Sequence, residues 1–171
     1  MKTAVFTLFL GLTMILHAHS QSLQVLKDKN GFQEYKFGSN IKSYDGLENL
    51  TDKRDREVNA GTYRWHNEMP GNKRIGDVEL RLTLLETYNN KIYKIQIWFE
   101  GYENDSKIKN VLNEAYGTMD ETMWKKDNIE CSYFFSRNDP DGIITFTDTN
   151  LEDQARAYEK GVRANSAANK L

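Results

Sequence analysis

With 171 residues, 23 basic against 25 acidic side chains and a formal charge of −2, the chain is long enough for one domain with its own core. It lacks the clustered basic surface that nucleic acid requires, and its mild acidity gives no attraction to anionic lipid. A single cysteine, Cys131, rules out any intrachain disulfide, so burial of apolar surface has to hold the fold.

Lys2 precedes an uncharged, mostly apolar run over residues 4–16, and Ala18-His19-Ser20 puts small residues at the −3 and −1 positions of a signal-peptidase site. This pattern predicts a cleavable secretory signal over residues 1–20. The run is shorter than the roughly 20 apolar residues that span a bilayer. No cysteine stands at the cleavage point to take a lipid. The expectation is a mature chain that starts at Gln21 and works in the periplasm or outside the cell. It is soluble, neither lipoprotein nor inserted in the membrane.

Residues 31–37 (GFQEYKF) read as a short strand. Gly38-Ser39-Asn40 offers a break and an N-cap for a helical turn over residues 41–44. Residues 45–56 are polar and read as loop; Asp52-Lys53-Arg54-Asp55-Arg56-Glu57 alternates in sign, as a solvated loop or edge does. Residues 58–65 suggest a strand, and Pro70-Gly71 a turn. Val78, Leu80, Leu82 and Leu84 then fall on one face of a strand, with Glu79, Arg81 and Thr83 on the other. Asn89-Asn90 suits a tight turn, and Tyr93, Ile95, Ile97 and Phe99 alternate on the return. Ile92 and Trp98, on the opposite face, mark this strand as central and covered on both sides.

Asn104-Asp105-Ser106 supplies capping side chains for a helix whose stripe is Ile108, Val111, Leu112, Ala115 and Tyr116, with Gly117 ending it. A second hairpin pairs the alternating run Ile129, Cys131, Tyr133, Phe135 with residues 143–147 through an Asp139-Pro140-Asp141-Gly142 turn; residues 122–126 add a further strand. Thr149-x-x-Glu152 forms a capping box for a last helix over residues 151–163. Residues 164–171 read as a fraying tail. The predicted fold is α+β: a single domain over residues 21–163 with one antiparallel sheet of two hairpins plus an N-terminal strand. One main helix crosses one face, and a C-terminal helix follows.

Residues for chemistry are few. After cleavage His66 is the only histidine, and catalysis would need an orienting carboxylate such as Asp77 or Glu68 beside it. A thiol nucleophile at Cys131 is disfavoured because Cys131 shares a strand face with Ile129, Tyr133 and Phe135, which implies burial. Asn138-Asp139-Pro140-Asp141-Gly142 suggests a calcium loop, but Arg137 stands where a ligand belongs, and a hairpin turn explains the segment. No metal, dinucleotide or hydrolase motif occurs, so no cofactor is expected. Asn49-Leu50-Thr51 and Asn104-Asp105-Ser106 have the form of glycosylation sequons. Trp65, Trp98 and Trp124, with nine tyrosines and eight phenylalanines, make the chain rich in aromatics; Trp98 is expected in the core, and Trp65 with His66 is the candidate binding surface.

The segments Gly31-Phe32, Phe37-Gly38, Ile75-Gly76-Asp77-Val78-Glu79-Leu80, Lys91-Ile92-Tyr93, Ala115-Tyr116-Gly117 and Gly142-Ile143-Ile144 resemble a set of small exported Gram-negative bacterial proteins of unknown function. The resemblance spans most of the mature chain, and its motifs are turns, strand ends and a helix stop, so it implies a fold and a periplasmic address and carries no site. Three functions follow as expectations. The first is a non-enzymatic binding or inhibitory module that captures an envelope protein or component through its sheet face. The second is a small extracytoplasmic hydrolase using His66 with a nearby carboxylate. The third is ligand binding between helix and sheet, which requires a cavity.

Overall fold

Alternating apolar residues in the second half of the chain build the sheet on which the other elements rest. The computed structural model describes residues 24–66, 73–118, 123–136, 138 and 140–168. The expected signal, the Pro70-Gly71 turn and the last three residues lie outside these. Helical residues 24–29 (α1) lead into a hairpin of β1 (Gly31–Phe32) and β2 (Tyr35–Lys36), a 3-10 turn (Ile41–Ser43), β3 (Glu48–Asn49), α2 (Lys53–Glu57) and β4 (Ala60–His66). A second small hairpin, β5 (Arg74–Ile75) and β6 (Val78–Glu79), precedes β7 (Leu82–Tyr88), β8 (Lys91–Glu100) and α3 (Tyr102–Tyr116). The chain continues through β9 (Met123–Lys126), β10 (Ile129–Phe135), β11 (Asp141–Asp148) and α4 (Thr149–Ala168).

The α+β class is as expected, but the sheet differs. Seven antiparallel strands run in the order β3-β4-β7-β8-β11-β10-β9, and the hairpins β1-β2 and β5-β6 stand apart as two-stranded sheets. Residues 31–37 do not form an N-terminal strand of the main sheet. Gly31 (φ 139°) and Gln33 (φ 49°) turn the segment back on itself, so Gly31 pairs with Lys36. At Gly31 a β-carbon would lie 2.1 Å from the Tyr35 carbonyl oxygen, which only glycine avoids. The polar stretch expected as loop contains β3 and α2, the latter closed by a capping box between Asp52 and Asp55.

Two irregularities decide which side chains reach the core. Val78 and Leu80 are buried, but the chain changes face at the exposed Arg81, and Thr83, Leu85 and Thr87 become the buried residues of β7. Leu82 and Leu84 therefore lie on the other face, contrary to the uninterrupted alternation. At the far end, Glu86 pairs with Lys94 and Thr87 with Ile92, which leaves Tyr93 opposite no residue. This bulge swings Ile92 into the core beside Ile95, Ile97 and Phe99. The Asn89-Asn90 turn is as predicted, with φ of 51° and 61°.

α3 buries Ile108, Leu112 and Tyr116 against the core face of the sheet, and Gly117 (φ 85°) ends it, as the stripe predicted. Its start is earlier than expected: Gly101 holds the N-cap position, without a side-chain bond. α4 also begins differently. Asp148, not Thr149, caps it, its carboxylate accepting from the Asn150 and Leu151 N–H groups at 3.0 and 3.2 Å. The Thr149 hydroxyl and N–H instead donate to the Asn128 carbonyl. The helix runs on to Ala168, through part of the segment expected to fray, and buries none of its residues. It is held over the opposite sheet face by the Lys94–Glu152 ion pair (2.7 Å) and by Tyr88 against Tyr158, with ring centroids 5.7 Å apart. Among the described residues no helix is long and apolar enough to cross a membrane.

Candidate functional site: a cleft with an apolar floor and a basic rim

The two small hairpins create the most distinctive cavity. They lie on the side of the sheet that α3 covers, and Gln33 ties them together by donating from its amide to the Arg74 carbonyl at 3.0 Å. Between them and α3 opens a cleft of about 320 Å³, within the range of small-molecule sites. Phe146, Ile75, Leu112 and Tyr116 form its floor, with Phe32, Val111 and Ala115 on its walls. The floor is rigid because its rings pack on one another. Phe32 stacks on Phe146 with centroids 5.8 Å apart, and Tyr116 meets Phe146 and Trp124 edge-on. The Trp124 indole N–H donates to the Gly117 carbonyl at 2.7 Å, which fixes that corner to the end of α3.

Three cations surround the mouth: Lys29 from the end of α1, Lys36 from β2 and Arg74 from β5. Arg74 is paired with Glu79 across its own hairpin at 2.8 Å. Lys36 donates to the Lys29 carbonyl at 2.8 Å and so caps the end of α1. The Lys29 ammonium lies 5.9 Å from the centre of the Tyr116 ring. Among the described residues neither lysine has a carboxylate partner. Burial, and then the Cys131 sulfur, push the Tyr116 phenol well above its ordinary range, so it stays neutral. The chemistry on offer is an apolar slot with uncompensated positive charge at its entrance.

The residues singled out from the sequence lie elsewhere. Trp65 is buried, 4 % exposed, on the α3 side of the sheet, and the Lys73 ammonium sits 5.3 Å from its ring centre. It is therefore an interior residue and presents no surface to a partner. His66, next along β4, faces the other way and is half-buried. It starts a cross-strand row with Leu82, Trp98, Ile143 and Phe134. In that row Trp98 is half-buried rather than core, its indole N–H has no acceptor among the described residues, and Phe134 is 61 % exposed. Asp77 lies at the tip of the β5-β6 hairpin, next to Gly76, where a β-carbon would stand 3.2 Å from Val111 of α3. Glu68 is outside the described residues, as are Arg137 and Asp139 of the calcium-like segment.

Cys131 is fully buried, and burial drives its thiol well above the usual range, as its strand face implied. Among the described residues no group of three or more histidine, cysteine, aspartate or glutamate side chains could hold a metal ion. Sequence reasoning missed Lys29, Lys36 and Arg74 because they come from three segments that no local pattern joins. The alternation around buried Tyr35 and Phe37 is the one signal that sends Lys36 outward.

By fold and site this is an α+β protein whose cavity lies between a helix and two accessory hairpins. Set against known proteins, the chain matches no family model, no curated protein and no solved structure.

Proposed function

We propose that the protein is a non-enzymatic binding module of the cell envelope, and that its ligand is a small amphipathic anion. Such a ligand has an apolar body and one carboxylate head. The observation that carries this reading is the pairing of an aromatic and aliphatic floor with two rim ammonium groups, Lys29 and Lys36, that have no carboxylate partner among the described residues. An apolar body gains by leaving water, at roughly 25 cal/mol per Å² buried. A carboxylate at the mouth gains charge-assisted hydrogen bonds that a neutral head does not. The export signal expected over residues 1–20 supports an envelope address.

Titration calorimetry of the chain that starts at Gln21, with decanoate and decanol as probes, tests the reading. Decanoate is expected to bind about tenfold or more tightly than decanol, the preference one charge-assisted contact confers. The double variant Lys29→Gln, Lys36→Gln is expected to lose that preference while retaining its fold. Equal binding of the two probes, or a preference that survives in the variant, would overturn it.

A further inference from the structure

A second hollow, sharing no lining residue with the cleft, lies where α2, β3 and β4 meet the β7-β8 turn, and has a volume of about 260 Å³. Its chemistry is the reverse of the first. Asn49, Asn59, Asn89 and Asn90 surround it with side-chain amides, Tyr63 supplies an aromatic ring, and Arg56 the only charge among the described residues.

Local geometry explains why amides gather here. Asn59, Asn89 and Asn90 all have positive φ (54°, 51° and 61°), where asparagine is tolerated better than most residues. Backbone bonds anchor the turns: the Asn89 N–H donates to the Asn59 carbonyl at 2.9 Å, and the Ile41 N–H ties the Asn90 carbonyl to the 3-10 turn at 2.8 Å. Turn geometry accounts for asparagine at each position; it does not spend the side chains. Among the described residues the amides of Asn59, Asn89 and Asn90 make no hydrogen bond, and the Arg56 guanidinium has no carboxylate partner. The Asn49 side-chain oxygen accepts from the Thr51 N–H at 2.9 Å, which leaves its NH₂ group free to donate. Tyr63 lies back over Gly61, where a β-carbon would stand 3.0 Å from the ring and 2.7 Å from the Thr87 hydroxyl.

We infer that this hollow binds the ring of a neutral saccharide. Each carboxamide presents a donor and an acceptor side by side, which matches adjacent hydroxyls on a sugar ring. The Tyr63 ring offers an apolar surface for the ring's C–H face. Among the described residues no carboxylate lines the hollow, so it offers a cation no negative charge. The volume suits one ring and not an extended ligand. The site is independent of the anion cleft, and either can fail alone.

The test is NMR titration of the chain that starts at Gln21, using methyl N-acetyl-β-D-glucosaminide, a single neutral ring, as the probe and following side-chain amide resonances. Shifts confined to Asn49, Asn59, Asn89, Asn90 and their neighbours are expected. Asn59→Gly and Asn89→Gly keep the positive-φ backbone while removing the carboxamide, so each should weaken binding about tenfold with the rest of the spectrum unchanged. Asn89→Asp, which also tolerates this backbone, guards against a glycine variant that loosens the turn. No shift at saturating probe, or glycine and aspartate variants that bind as the native chain does, would sink the proposal.

Discussion

Phe99 lies directly over Gly142, its partner across β8 and β11: a β-carbon on Gly142 would stand 2.0 Å from the Phe99 Cζ atom. The absence of a side chain at one residue is thus the space occupied by its neighbour. Phe99 is fully buried and also stacks on Tyr133 and Phe135, so it has nowhere to retreat. Gly142→Ala is expected to destabilise the protein by about 2–3 kcal/mol through overpacking. Urea denaturation measures this; a change within the noise would mean that the ring can move.

Cys131 should be chemically silent in the native state. Its sulfur is fully buried and its thiol is held in the protonated form. A thiol-specific chromogenic reagent is expected to label it only as fast as the protein unfolds, and completely in concentrated guanidinium. Rapid labelling of native protein would show that β10 opens locally.

Acid should release α4 before it unfolds the sheet. Burial raises the Glu152 carboxyl, but hydrogen bonds from Lys94 and Arg156 outweigh it and hold the group below its ordinary value of 4.5. A depressed carboxylate contributes stability that is fully present above its unfolded value and is lost as pH falls through the folded one. Glu86, Tyr93 and Lys94 face it from the sheet, and Arg156 from its own helix. Protection factors against hydrogen exchange in α4, corrected for the pH dependence of the intrinsic rate, should therefore fall below pH 4.5, and Glu152→Gln should show the lower protection already at neutral pH. Protection factors in α4 that are the same on either side of pH 4.5 would remove Glu152 as the tether.

The hydroxyl of Tyr133 donates to the Asp105 carboxylate at 2.5 Å, joining β10 to the first turn of α3. Burial, followed by Asp105, pushes this phenol far above its ordinary range. Tyr133→Phe should cost about 1.5–3 kcal/mol, the loss of a hydrogen bond to a charged group. Thermal and urea denaturation report it, and an unchanged midpoint would indicate that Asp105 finds another donor.

Periodicity made the centre of the fold legible. The Asn89-Asn90 turn, the apolar face of Ile95, Ile97 and Phe99, the α3 stripe and the buried face of β10 all stand as the alternation implied. The alternation failed where the backbone broke its own period, at Arg81 and at the Tyr93 bulge, because a one-residue slip exchanges the two faces. Trp65 looked like surface for the same kind of reason: a strand residue shows its parity, but not which face is covered. The site was less legible still. Lys29, Lys36 and Arg74 come from three segments, and Asn59 and Asn89 from two turns, so no window of sequence holds either constellation.

What the sequence determined by itself is local: the α+β class, the lack of any intrachain disulfide, the strand and helix periods and the positive-φ turns. These follow from spacing, side-chain shape and the count of one cysteine, none of which needs a distant partner. Tertiary structure decided the rest. It took residues 31–37 out of the main sheet, buried Trp65, turned His66 to the opposite face of β4, and opened one basic apolar cleft and one amide-lined hollow. The physical reason is that a cavity is the space left between packed elements, and packing is set by contacts between residues far apart in the chain.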